Sequence, residues 1–254
     1  ENARLYEEVA QRERRLDKDL EAARELQEVL LPQQPPDIAG LEIAIGFRPS
    51  GEISGDLFDF FDSPNNQALV AFGDSSGHGA AAALFGAMVG GLLRSLGRRG
   101  RSPAQLMRAL NAALLERRVD AQYVSLLMLD WNAQSRTLNM ANAGAVPPLI
   151  VRGGKIIRPR VEGVPLGLLD DREYEEVRFQ AEPGDLVLLY SDGVQDQQNA
   201  GKEEYGRGPL IRLLTGIHTQ APAGILDAIW KDLDAFRGEL PLGDDQTMIV
   251  MKVL

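Results

Sequence analysis

The stretch Phe72-Gly-Asp-Ser-Ser-Gly-His-Gly79 constrains this chain more than any other. It lies between an apolar run ending at Phe72 and a small-residue helical segment, residues 80–93, so Asp74 falls at a strand end where a cleft opens. Three further aspartates keep similar company: Asp56 in Ser54-Gly-Asp-Leu-Phe-Asp-Phe-Phe61, Asp192 in Leu188-Leu-Tyr-Ser-Asp-Gly193, and Asp244 in Leu242-Gly-Asp-Asp-Gln-Thr247. Each borders an apolar strand-like run, and neighbouring glycines let backbone approach a ligand closely. A single Asp beside Gly is most often a turn residue. Four of them at strand ends favour a hard-cation site over four unrelated turns. Carboxylate, carbonyl and water oxygens suit Mg²⁺ or Mn²⁺, whereas a chain with no Cys and only His78 and His218 offers too few soft ligands for zinc.

Residues 1–31 hold neither Gly nor Pro, are rich in Glu, Arg, Leu and Ala, and stop at Pro32, the pattern of one long helix. Leu5, Val9, Leu16, Ala23, Leu26 and Leu30 recur at alternating steps of about three and four, as in a coiled-coil seam, with Arg12 and Asp19 on two seam positions. Two readings stay open: an amphipathic helix lying on its own domain, or a parallel dimer helix. Pro32 and the two prolines that follow make a stiff connector. The chain therefore divides into residues 1–36, helix and connector, and residues 37–254, one folded domain.

Within that domain, residues 41–48 and 56–62 read as strands, Asn65-Asn66 as a hairpin turn, and 68–73 as the strand that delivers Asp74. A helix over 80–96 follows, then one from Ser102-Pro103 to residue 117. Residues 123–131, 137–143, 148–152, 175–180 and 186–190 read as strands, 194–208 as a surface flap, 209–214 and 222–237 as helices, and 247–253 as the closing strand. Two runs of strands around a helix pair predict an α+β fold: a two-sheet antiparallel β-sandwich flanked by helices and preceded by the long N-terminal helix.

A chain of 254 residues at 44% hydrophobic buries a substantial core, and the absence of Cys excludes a disulfide framework and agrees with a reducing compartment. No run approaches the roughly 18 apolar residues of a membrane span and no signal peptide opens the chain, so a cytoplasmic location is expected. Opening on Glu1 and not Met, the sequence is expected to be the output part of a longer protein carrying an upstream sensor or membrane segment. A net charge of −10 argues against a nucleic-acid partner, the basic cluster Arg94, Arg98, Arg99 and Arg101 being local.

The order Gly55-Asp56, Asp74-x-Ser-Gly-His-Gly79, Ser191-Asp-Gly193 and Asp244-Asp-x-Thr247 resembles the PPM-type metal-dependent Ser/Thr protein phosphatases, in their bacterial branch of sporulation and stress-response sigma-factor regulators. Ser102-Pro-Ala-Gln-Leu, Leu110-Asn-Ala-Ala-Leu, Asn142-Ala-Gly144 with Pro147-Pro148, Gly163-x-Pro-Leu-Gly-Leu168 and Pro183-Gly-Asp185 fall where that family has similar segments, so the resemblance covers residues 24–254. Ala22-x-x-x-Leu26-Gln-x-x-Leu-Leu-Pro32 is similar to the linker preceding the family's catalytic domain, which favours a homodimer through residues 1–31 that carries a signal from a sensor domain.

The resemblance implies catalytic roles for Asp56, Asp74, Asp192 and Asp244 around two Mn²⁺ or Mg²⁺ ions. Asp74 would bridge the ions, the Ser75 carbonyl would join the first, Asp192 and Asp244 would hold the second, and Asp56 would act mainly through water on the metal. Asp245 is a weaker ligand candidate, His78 is either a general acid or a structural hydrogen-bonder, and Arg48 stands only by position for the phosphate-binding Arg of distant relatives. Ser54, Ser75 and Ala145 depart from the family's usual Gly, aliphatic residue and His, but no metal-binding carboxylate is lost. The implied substrate is a phosphoserine or phosphothreonine protein, an anti-sigma-factor antagonist. A non-enzymatic partner-switching scaffold and a two-metal nuclease are the rivals; the complete carboxylate set speaks against the first and the acidic charge against the second.

Overall fold

Two five-stranded antiparallel sheets stack face to face in the computed structural model, which describes residues 2–63, 67–97 and 101–254. The chain begins with helix α1 (Asn2–Leu30), strands β1 (Leu41–Arg48), β2 (Asp56–Ser63) and β3 (Gln67–Ser75), and helices α2 (Gly79–Gly97) and α3 (Pro103–Glu116). Strands β4 (Val124–Asn132), β5 (Thr137–Ala143), β6 (Leu149–Arg152), β7 (Lys155–Ile157), β8 (Val177–Gln180) and β9 (Leu186–Tyr190) follow. Short helix α4 (Asp192–Gln195), helices α5 (Arg207–Ile217) and α6 (Pro222–Arg237), and strand β10 (Gln246–Val253) complete it. The sheet orders are β1-β10-β9-β6-β7 and β2-β3-β4-β5-β8.

Both faces of each sheet are covered, and this explains why β3, β4 and β9 read as nearly continuous apolar runs and not as alternating ones. Val70 and Phe72 of β3 and Leu127 and Leu129 of β4 face Leu189 and Ile249 of the other sheet. Their neighbours Leu69, Ala71, Leu126 and Met128 point outward under α2 and α3. On the far side Leu188, Tyr190 and Val250 lie under α5 and α6, meeting Leu210, Ile225 and Ile229. At about 1.5–3 kcal/mol per buried large aliphatic side chain, these three clusters hold the layers in register. The Trp131 indole donates to the Ala39 carbonyl at 2.9 Å, which pins the connector to the end of the sandwich.

The expected sandwich and its flanking helices are present. Three details differ from the sequence reading. β7 is a short edge strand that residues 155–157 do not announce, and α4 begins at Asp192, where a strand was expected to give way directly to a flap. α2, in addition, is long and apolar enough by composition to cross a membrane, contrary to the expectation that no segment is. Its apolarity comes from Leu84, Leu92, Leu93 and Leu96 with Phe85, Met88, Val89 and its alanines, and its face of Ala82, Phe85, Val89 and Leu93 is buried against β2, β3 and α3, as in a helix that flanks the sandwich. The Asn65-Asn66 turn and the basic residues Arg98 and Arg99 lie outside the described residues, as do the side chains of Leu5 and Val9.

α1 meets the domain through its C-terminal end, where Arg94 of α2 donates to the Leu30 carbonyl at 3.4 Å. Of its seam, Leu16, Leu26 and Leu30 are 61%, 70% and 49% exposed.

Candidate active site

The four aspartates gather at one end of the sandwich, where the two sheets meet. β2 and β3 pair so that Asp56 and Asp74 are direct cross-strand partners. Asp56 is buried, and Thr247 Oγ1 of β10 donates to its Oδ2 at 2.5 Å, bridging from the other sheet. Asp192 opens α4 immediately after β9. The Ser191 N–H donates to the Thr247 carbonyl at 3.0 Å, and Ser191 Oγ accepts from the Thr247 N–H at 2.9 Å and donates to the Asp245 carbonyl at 3.0 Å. Asp244 is exposed at the loop before β10, with its Oδ1 accepting the Asp245 N–H at 2.8 Å. A Cβ on Gly193 would sit 2.1 Å from the Asp245 carbonyl, so only Gly lets α4 start this close to the Asp244 loop.

Electrostatics mark these groups as a set. Burial pushes the Asp74 carboxyl up to about 7, and the charges of Asp192, Asp244 and Asp245 add to the rise. Asp56 is raised well above the usual carboxylate range by burial and then by Asp74, with the Thr247 hydroxyl opposing. Asp192 is raised by burial and then by Asp196. Asp244 is raised by burial with help from Asp192 and Asp245, while the Asp245 N–H and nearby His78 pull it back. Among the described residues no Lys or Arg pairs with any of the four.

Accumulated negative charge with hard oxygen donors is the chemistry that a divalent cation neutralises. Among the described residues no three Asp, Glu or His side chains converge on one ion-sized point. Backbone oxygen completes the donor set instead: a Cβ on Gly55 would lie 3.0 Å from Asp74 Oδ1 and 3.1 Å from the Ser75 carbonyl, so these two oxygens face the same small space. The donors fit a Mg²⁺-like ion, which retains several waters and needs few protein ligands.

Two residues matter here that the sequence reading ranked low or left unassigned. Asp245 Oδ1 accepts from the Ser50 N–H at 2.7 Å and the Ser50 hydroxyl at 3.0 Å, and its Oδ2 accepts the Gly55 N–H at 2.8 Å. It thereby fastens the loop that delivers Asp56 to the start of β10. Gln27 of α1 holds the next link: its Nε2 donates to the Ser54 carbonyl at 2.6 Å and its Oε1 accepts the Ser54 N–H at 2.9 Å. Arg48, which stood by position for a phosphate-binding Arg, bonds Asp234 at 2.9 Å and stacks on Trp230, so its guanidinium is engaged by α6 and not by the four aspartates. His78 is exposed in the bend before α2.

The Stage II sporulation protein E (SpoIIE) family profile matches residues 64–254. The chain belongs to that family. Its fold is that of the PP2C phosphatase domains. Among curated relatives, the phosphoserine phosphatase RsbU of Bacillus subtilis is 26% identical over 242 residues, covering 92% of this chain and 70% of RsbU. Other curated relatives are longer, the chain spanning as little as 24% of their length. Among solved structures, the SiaA PP2C domain of Pseudomonas aeruginosa superposes with a TM-score of 0.85 at 20% identity, over 95% of this chain and 98% of that one. RsbX, crystallised in complex with magnesium, superposes with a TM-score of 0.64 at 15% identity, over 87% of this chain and 99% of RsbX.

Proposed function

We propose that this domain removes phosphate from phosphoserine or phosphothreonine in a small regulatory protein, an anti-sigma-factor antagonist of a cytoplasmic partner-switching pathway. The observation that carries the reading is the carboxylate cluster, in which Asp74 is driven up to about 7 by burial and by three neighbouring aspartates, with no Lys or Arg paired to it among the described residues. In this proposal Asp74, the Ser75 carbonyl, Asp192 and Asp244 would hold two Mn²⁺ or Mg²⁺ ions, with Asp56 contributing through water. Such ions, when bound, lower the pKa of water and neutralise charge on the phosphoryl oxygens. The chain's own residues set the geometry: Thr247 orients Asp56, Asp245 fixes the loop that carries it, and Ser191 locks the β9 end to β10.

α1 is proposed to regulate the site as a parallel dimer helix driven by a sensor domain of the same protein. The exposure of Leu16, Leu26 and Leu30 supports an unfilled seam, and the paired Gln27 bonds to Ser54 give α1 a direct hold two residues from Asp56. Phosphate release from phosphorylated antagonists encoded in the same genome tests the substrate, alongside hydrolysis of para-nitrophenyl phosphate with Mn²⁺ and with chelator. A folded protein that turns over neither substrate in Mn²⁺ or Mg²⁺ would leave the scaffold reading in its place.

A further inference from the structure

Two buried glutamines join the Asp192 and Asp244 segments, and nothing in the carboxylate cluster accounts for them. Gln246 opens β10 and is 1% exposed; Gln197, just after α4, is 2% exposed. Gln246 Nε2 donates to Gln197 Oε1 at 3.0 Å and to the Gly193 carbonyl at 3.3 Å. Gln197 Oε1 also accepts the Gly243 N–H at 3.4 Å, while its Nε2 donates to the Gln198 carbonyl at 3.0 Å and the Pro241 carbonyl at 3.5 Å. Carbonyls only accept, so Gly193 at one end and Gln198 with Pro241 at the other fix the orientation of both amides. The resulting bridge runs from the residue after Asp192 to the residue before Asp244.

Its cost points to a use. Two amides buried together must satisfy most of their donors and acceptors, and here Gln246 Oε1 is buried without a partner. An apolar pair of the same shape would avoid that penalty at little loss of packing. What an apolar pair cannot do is grip the Pro241–Gly243 backbone. Asp192 and Asp244 repel each other across the cleft, and Asp244 sits on an exposed loop that like charge drives outward.

We propose that Gln197 and Gln246 are positioning residues that set the spacing between Asp192 and Asp244 for a divalent cation, an inference that rests on the two-metal reading above. The test is calorimetric titration of Mn²⁺ into metal-stripped full-length protein: wild type, Gln197→Met, Gln246→Met and the double variant. Each single change is expected to weaken one of the two Mn²⁺ binding steps by about tenfold, the lower end for partners that orient ligands. The double variant is expected to be no weaker than the weaker single, because one bridge carries the effect. The Mn²⁺ concentration for half-maximal para-nitrophenyl phosphate hydrolysis should rise with it, turnover at saturating Mn²⁺ staying within about twofold of wild type.

Unchanged Mn²⁺ affinity with only a lower melting temperature would overturn the inference, as would effects that multiply in the double variant. If a single variant fails to fold because it strands its partner's amide, the double variant, which removes both amides, decides alone. Asp192→Asn titrated alongside separates the two levels. If it binds Mn²⁺ like wild type, the ligand assignment fails; if it loses a site that the glutamine variants keep, only the positioning role fails.

Discussion

Asp56 and Asp74 stand directly opposite each other on β2 and β3, two acids in a cross-strand pair. Like charges at such a position destabilise a sheet, and a strand pair selected for stability alone would carry apolar or opposite-charge partners there. The fold contains the conflict locally. Thr247 reaches Asp56 from the second sheet, and the rise of Asp74 to about 7 lets that carboxyl hold a proton near neutrality. Such a pair costs the sheet stability, and rule-breaking of this kind is expected at functional sites.

Replacing either acid with its amide separates the two roles. Asp74→Asn and Asp192→Asn should each lower Mn²⁺-dependent hydrolysis of para-nitrophenyl phosphate by at least about a hundredfold, since even residues that merely orient ligands cost 10–100-fold. Neither touches the buried apolar clusters, so far-UV circular dichroism should be unchanged. Near-wild-type activity in either variant would remove that residue from the site.

Metal-free protein should lose stability as pH rises. Asp74 titrates near 3.8 when unfolded and at about 7 in the fold, so between those values the folded chain binds more protons and its stability falls with increasing pH. Asp56, Asp192 and Asp244 are shifted in the same direction. The melting temperature in chelator is therefore expected to drop between about pH 5 and pH 7 and then level off with respect to Asp74, and added Mn²⁺ should restore it at the upper end. A rise across that window would contradict the raising of these carboxyls by burial and, secondarily, by their mutual repulsion.

Most of this architecture is legible in the sequence because its punctuation is strong. β1, β5 and β9 begin and end where expected, β9 as a continuous apolar run and β1 and β5 as mixed polar and apolar segments bounded by turn residues. β7 is not legible, since three residues after Gly153-Gly154 carry no periodicity. α4 escapes for a different reason: Ser191 looks like an ordinary strand-to-loop residue, and its hydroxyl is spent on the Asp245 carbonyl and not on a helix cap. The four aspartates announce themselves by motif. Asp245 does not, because Ser50 and Gly55 are about 190 residues away in sequence and meet it only once the two sheets stack. The Gln197–Gln246 bond is hidden in the same way.

Asp245 yields a stability prediction with a graded series. Asp245→Ala removes the acceptor for three hydrogen bonds at 2.7, 3.0 and 2.8 Å and should cost about 2–4 kcal/mol. Asp245→Asn keeps one acceptor oxygen but turns an amino group toward either Ser50 or Gly55, so it should fall between wild type and Ala. Urea midpoints at constant m-value report the order. Asp245→Ala should also raise the Mn²⁺ requirement, because the loop delivering Asp56 is no longer fastened to β10.

The helix α1 gives the prediction that reaches furthest from the cleft. Leu16 and Leu26 are 61% and 70% exposed, and Leu26 and Leu30 also line an apolar groove of about 350 Å³ against Leu84 and Ala87 of α2. If a second α1 covers this seam, Arg12 and Asp19 at seam positions keep the association weak, as a switch requires. Leu16→Glu with Leu26→Glu places charge in the seam and should convert dimer to monomer. Activity should change with it, because repacking α1 moves Gln27, which holds both backbone groups of Ser54. A helix that lies only on its own domain gives another pattern: a lower melting temperature with no change of mass. Sedimentation of both proteins over a concentration series distinguishes the two, and a wild type that stays monomeric at roughly 50 μM, where micromolar association must appear, would reject the dimer.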